Sequence, residues 1–404
     1  MTDTEAMRKI AQGHADAWHN EERTALRKTT RTFVEREILP NLADWERQGE
    51  LPRDLHRRAA DIGILSAGYP AELGGAGNII DMMVIQEEMI LSGASTGVLA
   101  SLFSHAIALP SLIGSGNEDL IERFVRPTLR GELIGALGIT EPDTGSDVAG
   151  IRTRAVRDGD EYVVNGSKLY ITSGVRADFV TTAVRTGGAG HSGVSLLVIE
   201  KGTSGFEVSR KLEKMGWWCS DTAELSFHEV RVPAANLVGD ENTGFKQIVR
   251  QFQSERLIMA VQSCAVAQRC LDLTIAWVKV RKAFGEPLSN RQVVRHKIVE
   301  MARITDVAKT YVRHVVADWM TGAEVSAQVS MAKNTAVHAG EFVANEAVQL
   351  HGGMGYMRES EVERHYRDVR IMGIGGGTVE IMNEVIAKRL GLLAPTEGNK
   401  ERTT

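Results

Sequence analysis

Apolar residues recur at the three-and-four spacing of amphipathic helices at both ends of the chain, and give way to a period of two in the middle. The pattern predicts an α+β multidomain chain: an N-terminal all-α domain over 1–134, a middle antiparallel β domain over 135–235, and a C-terminal four-helix bundle over 236–394. The polar tail 395–404 is expected to be disordered. Helices are predicted at Glu22–Leu39, Pro52–Leu65, Ile79–Ser92, Gly97–Ile113 and Glu118–Leu129. The glycine-rich stretch Leu73–Asn78 reads as a turn, since no strand feeds it and it lacks the Lys-Ser/Thr of a phosphate loop. Glu161–Thr172 reads as a hairpin with Asn165-Gly166 at its tip, because that dipeptide tolerates the positive φ angles a tight turn needs. Val180–Arg185, Val194–Glu200 and Ala223–Val232 continue the strands. Thr243–Lys282, Asn290–Met320, Ser326–Gln349 and Thr378–Leu390 form the bundle, joined by Gly/Pro links. Strands do not alternate with helices, so a dinucleotide, if bound, is held by a route other than the Rossmann turn.

Within the first bundle helix, Phe245, Ile248, Val249 and Phe252 form an apolar stripe, and Glu255 falls on its edge. A carboxylate there is paired with a cation, held neutral, or kept for chemistry. On this helix alone the plain reading is a rim glutamate paired with a neighbouring cation.

Composition narrows the classes. Hydrophobic content of 43% and charged content of 25% are those of a globular protein, and a net charge of −5 argues against a nucleic-acid partner. No apolar run reaches the ~20 residues of a membrane helix, so no membrane insertion is expected. The start, Met1 to Glu5, has no basic segment leading into an apolar core, and a cytoplasmic protein is the expectation. Cys219, Cys264 and Cys270 sit in apolar or aromatic runs without Cys-x-x-Cys spacing, which predicts buried free thiols. His-Glu-x-x-His and Gly-x-Ser-x-Gly are both missing, so neither a metal site nor a serine hydrolase is expected.

Three stretches are candidates for chemistry. Gly138–Asp147 is dense in hydroxyls, glycines and free amides, fit to wrap a polar ring or phosphate chain, or else a decorated turn. Arg281-Lys-Ala-Phe-Gly285 with Gln292 sets a cation and an aromatic at a helix end, suited to a nucleotide, or else a capped terminus. Gln349–Tyr356 and Gly373–Thr378 are glycine clusters bounded by helices, open to close approach, or else plain connections.

Together with Asn165–Thr172 and Met215-Gly-Trp217, these stretches resemble the acyl-CoA dehydrogenase family, over about Glu22 to Leu392. The resemblance implies bound FAD, a homotetramer or dimer of dimers, and α,β-desaturation of an acyl-CoA thioester. It places Ile139, Thr140 and the amides near Gly145 and Ser146 on one side of the flavin, with Tyr170 and Thr172 on the other; Tyr170 stands where many members have Trp. Arg281, Phe284, Gln292, Gln349, Gly352 and Gly353 would reach the pyrophosphate and adenine from a neighbouring subunit, with Thr378 and Glu380 completing that pocket. Ser146 and Arg256 would hold the CoA portion, and Ser95, Thr96 and Leu99 would line the acyl pocket.

One departure changes the reading of Glu255. Many members carry the catalytic base as the glutamate of a Tyr-Glu-Gly-Thr run; here the run is Gly375-Gly-Gly-Thr378, and Gly376 stands at the glutamate position. A subset resembling long-chain and isovaleryl-CoA dehydrogenases carries the glutamate on the bundle helix before an arginine, as Glu255-Arg256 does here. The resemblance then implies that Glu255 removes the α-proton while a ribityl hydroxyl and the Gly376 N–H hold the thioester oxygen. The β-hydrogen leaves as hydride to flavin N5, and an electron-transfer flavoprotein takes the electrons. An acyl-CoA oxidase is the alternative, as is a flavin monooxygenase or non-catalytic member on the same fold, although neither of the last two needs the base. Gly375 and Gly376 are expected to make room for a long or branched acyl group.

Overall fold

The computed structural model describes residues 17–392; the tail expected at 395–404 lies outside them. Helix α1 (Glu21–Phe33) is capped by the Asn20 side chain, which accepts from the Arg23 amide, and runs on through a π turn at Val34–Ile38. Helices α2 (Leu42–Gln48) and α3 (Asp54–Asp61) follow. The Leu73–Asn78 stretch is a turn, and Asn78 with Asp81 forms the capping box that opens α4 (Ile79–Leu91). The single helix expected over Gly97–Ile113 is instead three: α5 (Thr96–Leu102), α6 (His105–Ala108) and α7 (Pro110–Ser115). The chain bends by 51° between Leu102 and His105, and Pro110, which has no N–H to donate, opens a fresh first turn. Glu118–Leu120 (α8), a π turn at Ile121–Val125 and Arg126–Leu129 (α9) close the region.

The middle region is a seven-stranded sheet: β1 (Gly135–Gly138), β2 (Arg154–Asp158), β3 (Glu161–Thr172), β4 (Phe179–Arg185), β5 (Val194–Glu200), β6 (Phe206–Lys211) and β7 (Thr222–Pro233). Two expectations are corrected here. The sheet is mixed rather than purely antiparallel, because β4 takes both β1 and the start of β2 in parallel. Glu161–Thr172 is one strand, not a hairpin; the turn lies at Gly159, with φ +62°, and Asn165-Gly166 is a bulge. Gly166 is glycine because a Cβ there would stand 2.6 Å from the Thr153 hydroxyl, and Asn165 bonds sideways to Glu229 instead of turning the chain. Local turn chemistry lost to the long pairing of β3 with β7.

Helices α10 (Gly244–Val280), α11 (Gln292–Met320), α12 (Ser326–His351) and α14 (Val379–Arg389) are the bundle expected from the pattern. A short helix outside that expectation, α13 (Glu361–Val369), lies against them; its buried face uses His365 and Asp368 beside Val362 and Val369, which masks the apolar period. Helix α10 spans the molecule. It gives Ile248 to the cluster under β5, Leu257 and Ala260 to a second, and Met259 and Ala265 to a third that includes α5 and α12. The loop before β7 is fixed to helices on either side: Trp217 donates Nε1 to the Thr96 hydroxyl at 2.8 Å and its amide to Asp368 at 2.6 Å. All three cysteines are free and buried, and burial pushes the Cys219 and Cys264 thiols up to about 12.

Candidate active site

Glu255 follows Phe252 by one turn and precedes Met259 by another, so the packing of α10 on both sides aims it inward. The residue is half-buried, and its Oε2 is shielded from solvent with no hydrogen-bond partner among the described residues. Burial raises the carboxyl to about 6, and the nearby Arg256 and Lys333 charges only partly oppose this. The glycine run after α13 closes over it. A Cβ on Gly376 would lie 3.5 Å from Glu255 Oε1 and 2.8 Å from Met259 Sδ. A side chain at position 376 and the Glu255 carboxylate therefore converge on one space. Met259 also lies 3.5 Å from the Cβ point of Gly375, so the thioether fills part of the room the two glycines leave.

Two cations hold the run. Arg256 Nε donates to the Gly376 carbonyl at 3.0 Å, with its guanidinium 5.7 Å from the Phe252 ring centre. Lys333, on the buried face of α12, donates Nζ to the carbonyls of Gly375 and Gly377, and burial draws its ammonium down to about 8. The motif reading missed Lys333; its only trace in the sequence is a lysine amid Ala332, Ala336 and Val337 on an otherwise apolar face. Arg256, expected on the CoA portion, makes this contact inside the chain.

A second group gathers at the end of β1. The Thr140 hydroxyl donates to the Leu169 carbonyl, and the Leu169 amide returns a bond to the Thr140 carbonyl at 2.8 Å. That stitch sets the loop against the bulge of β3, where Tyr170 stands 67% exposed at φ +63° and Thr172 is half-buried. A bulky residue at positive φ is strained. Beneath it, Lys168 is fully buried and donates to the Ile139 carbonyl at 2.9 Å and to Glu141 at 2.8 Å. Burial alone would raise the Glu141 carboxyl, but Lys168, Thr153 and Arg152 donate to it and hold it below its ordinary value. Gly145 and Ser146 sit on the exposed part of this loop.

A third group is distant. Arg281, Phe284, Gln292, Gln349, Gly352 and Gly353 are all exposed. Phe284 tops a two-residue hairpin at φ +55° and is 96% exposed. Arg281 lies 5.9 Å over Trp277, which stacks on His351, so the end of α10 meets the end of α12. Gln292 lines a groove of about 550 Å³ with Val293, His296 and Phe342. Roughly 38 Å of helix separates Glu255 from the end of α10 at 1.5 Å per residue. The chain does not bring this group to Glu255. Thr378 caps α14 by accepting from the Ile381 amide, with Glu380 exposed in its first turn. Ser95 caps α5 and is fully buried, as is Thr96, while Leu99 packs in the cluster that holds Met259.

The chemistry of these groups fits a flavin nucleotide. An exposed strained aromatic stands beside a hydroxyl-bearing loop, and Gly145 and Gly353 have open space at their Cβ points and no need of positive φ. Among the described residues no cluster of three His, Cys, Asp or Glu side chains suits a metal ion, and no single helix is long and apolar enough to cross a membrane.

Comparison with known proteins agrees with this chemistry. The acyl-CoA dehydrogenase N-terminal, middle and C-terminal domain models match residues 20–132, 136–230 and 242–391. The chain belongs to the acyl-CoA dehydrogenase family, which comprises FAD-dependent oxidoreductases acting on CH–CH bonds. It is 38% identical to the long-chain specific acyl-CoA dehydrogenase, mitochondrial, of Sus scrofa over 91% of this chain and 86% of that protein. Its fold matches a probable acyl CoA dehydrogenase from Mycobacterium abscessus with TM-score 0.92 and 64% identity, covering 93% of this chain and all of that one. It also matches a glutaryl-CoA dehydrogenase from Mycobacterium smegmatis in complex with FADH2, with TM-score 0.86 and 26% identity over 95% and 97% of the two chains.

Proposed function

We propose that the protein dehydrogenates an acyl-CoA thioester to the trans-2-enoyl-CoA, with Glu255 as the base. The observation that carries this is the convergence of the Glu255 carboxylate on the side-chain space of Gly376, where the usual base of the family is missing. Bound FAD supplies the two-electron acceptor for the hydrogen leaving Cβ. The protein does the rest. Burial raises the Glu255 carboxyl to about 6, which makes its ionised form a stronger base toward the α-proton. The Gly376 N–H would donate to the thioester oxygen and stabilise the negative charge that develops there as the α-proton leaves. Thr140, Thr172 and Tyr170, with the amides near Gly145 and Ser146, would hold the flavin ring, and Ser146 would also meet the CoA portion.

The distal group serves a second copy of the chain. Its 38 Å offset supports a homotetramer or dimer of dimers, in which Arg281, Phe284, Gln292, Gln349 and Gly353 close a neighbour's nucleotide site. A long-chain acyl group is the proposed substrate, on the similarity to the long-chain relative, and an electron-transfer flavoprotein the proposed acceptor. Glu255→Gln tests the base: anaerobic addition of acyl-CoA should bleach the flavin of the unaltered protein and leave the variant yellow, with FAD still bound. Equal bleaching of both would remove Glu255 from this role. A panel of acyl-CoAs of varied length tests the substrate, a preference for short straight chains counting against it. Reoxidation in air within seconds, with peroxide, would mark an oxidase instead.

A further inference from the structure

Lys333 is fully buried, and a buried ammonium is retained only where its N–H groups find acceptors. It donates to the carbonyls of Gly375, at 2.6 Å, and Gly377, while Arg256 takes the Gly376 carbonyl between them. Two cations thus hold three successive carbonyls of a run with no side chains to pack. In a trans peptide the C=O and the following N–H point in opposite directions. Fixing the Gly375 carbonyl on Lys333 therefore turns the Gly376 N–H away from α12. That amide donates to no described residue, whereas the Gly375 amide closes on Ile371 at 2.8 Å. Gly376 is also the residue whose Cβ point lies 3.5 Å from Glu255 Oε1, so the free amide and the carboxylate border one space.

We infer that Lys333 is a positioning residue: by clamping the Gly375 and Gly377 carbonyls it presents the Gly376 N–H to the thioester oxygen of the substrate. This rests on the acyl-CoA dehydrogenase reading. Without the clamp, a triple-glycine run has many backbone states of similar energy, and the amide loses its aim.

The test uses the FAD-loaded protein and two readouts. One is the red shift of an aryl-acryloyl-CoA on binding, which reports polarisation of its thioester carbonyl. The other is the rate of anaerobic flavin bleaching by acyl-CoA. Lys333→Met should keep FAD and bind the probe with little change in affinity. It should lose most of the red shift and slow bleaching by about 100-fold, the scale of losing one oxyanion donor. Lys333→Arg, which keeps the charge and two donors, should retain the shift and recover most of the rate. A mere packing role would lower the melting temperature and leave the shift in place, and a Lys333→Met protein with unaltered shift and rate overturns the inference. If Lys333→Met does not fold, Lys333→Gln, which is uncharged and one bond shorter and so cannot span both carbonyls, is read by the same criteria. An unaltered protein that no acyl-CoA bleaches would instead sink the dehydrogenase reading itself.

Discussion

Burial raises the proton affinity of Glu255, and rising pH therefore costs the fold stability while it supplies the ionised base. Its carboxyl titrates at about 6 in the folded chain, against roughly 4.3 unfolded. The folded state therefore holds more protons in that window, and its stability is full below the unfolded value and lost as pH rises through about 6. Above it, the buried charge costs about 2 kcal/mol. Glu255→Gln should raise stability at pH 7.5 by about that amount and leave it unchanged near pH 4, read from urea midpoints at the two pH values. Flavin bleaching by acyl-CoA in the unaltered protein should rise through the same window, since a base must be ionised. Gly376 gives a complementary expectation. At φ +62°, Gly376→Ala carries about 1–2 kcal/mol of backbone strain and sets a methyl 2.8 Å from Met259 Sδ. It should lower the melting temperature and slow bleaching at least tenfold, because the amide and Met259 both move. Glu255 was legible as a candidate because, set against the pattern of the family the chain resembles, the glycine at 376 leaves the base to come from elsewhere. Lys333 was not, since its acceptors are carbonyls 42 and 44 residues away and carbonyls leave no mark in a sequence.

Among the elements, β3 and the loop after β1 depend on one buried pair. Lys168→Met would strand the Glu141 carboxylate, which then has only the Arg152 and Thr153 amides. Removing one partner of a buried ion pair costs about 3–5 kcal/mol. A lower melting temperature is expected, together with a reduced FAD-to-protein ratio, because the stitched Thr140–Leu169 geometry relaxes; full FAD content would show the loop holds without it. Both residues lay in stretches singled out by their residue types, yet their pairing came only with the register of β3. The same register explains the failed hairpin. Asn-Gly marks a turn when strands are free to end there, and here pairing with β7 on one side and Thr153 on the other kept the strand running.

Across the whole molecule, α10 acts as a ruler. It puts Glu255 in the interior and Arg281 and Phe284 at the periphery, too far apart to serve one ring. Phe284→Ala should change the stability of the isolated fold by less than about 0.5 kcal/mol, as exposed side chains do. It should nonetheless speed FAD loss on dilution and weaken assembly, measured by flavin fluorescence and native mass. Removing FAD should lower the melting temperature, and restoring it at a hundredfold excess over its Kd should return about 2.7 kcal/mol.

The order of helices, strands and bundle was written in hydrophobic period, since burying one face of an element needs only local spacing. The residue types of the catalytic and cofactor stretches were likewise present in linear order, the absent carboxylate at 376 included. Tertiary structure alone decided what those residues meet: the parallel edge of the sheet, the three helices in place of one, the thioether beside Gly376 and the lysine behind it. Each of these is a contact between distant parts of the chain. Packing selects such contacts by shape and by unmet hydrogen bonds, and neither quantity exists until the chain has folded.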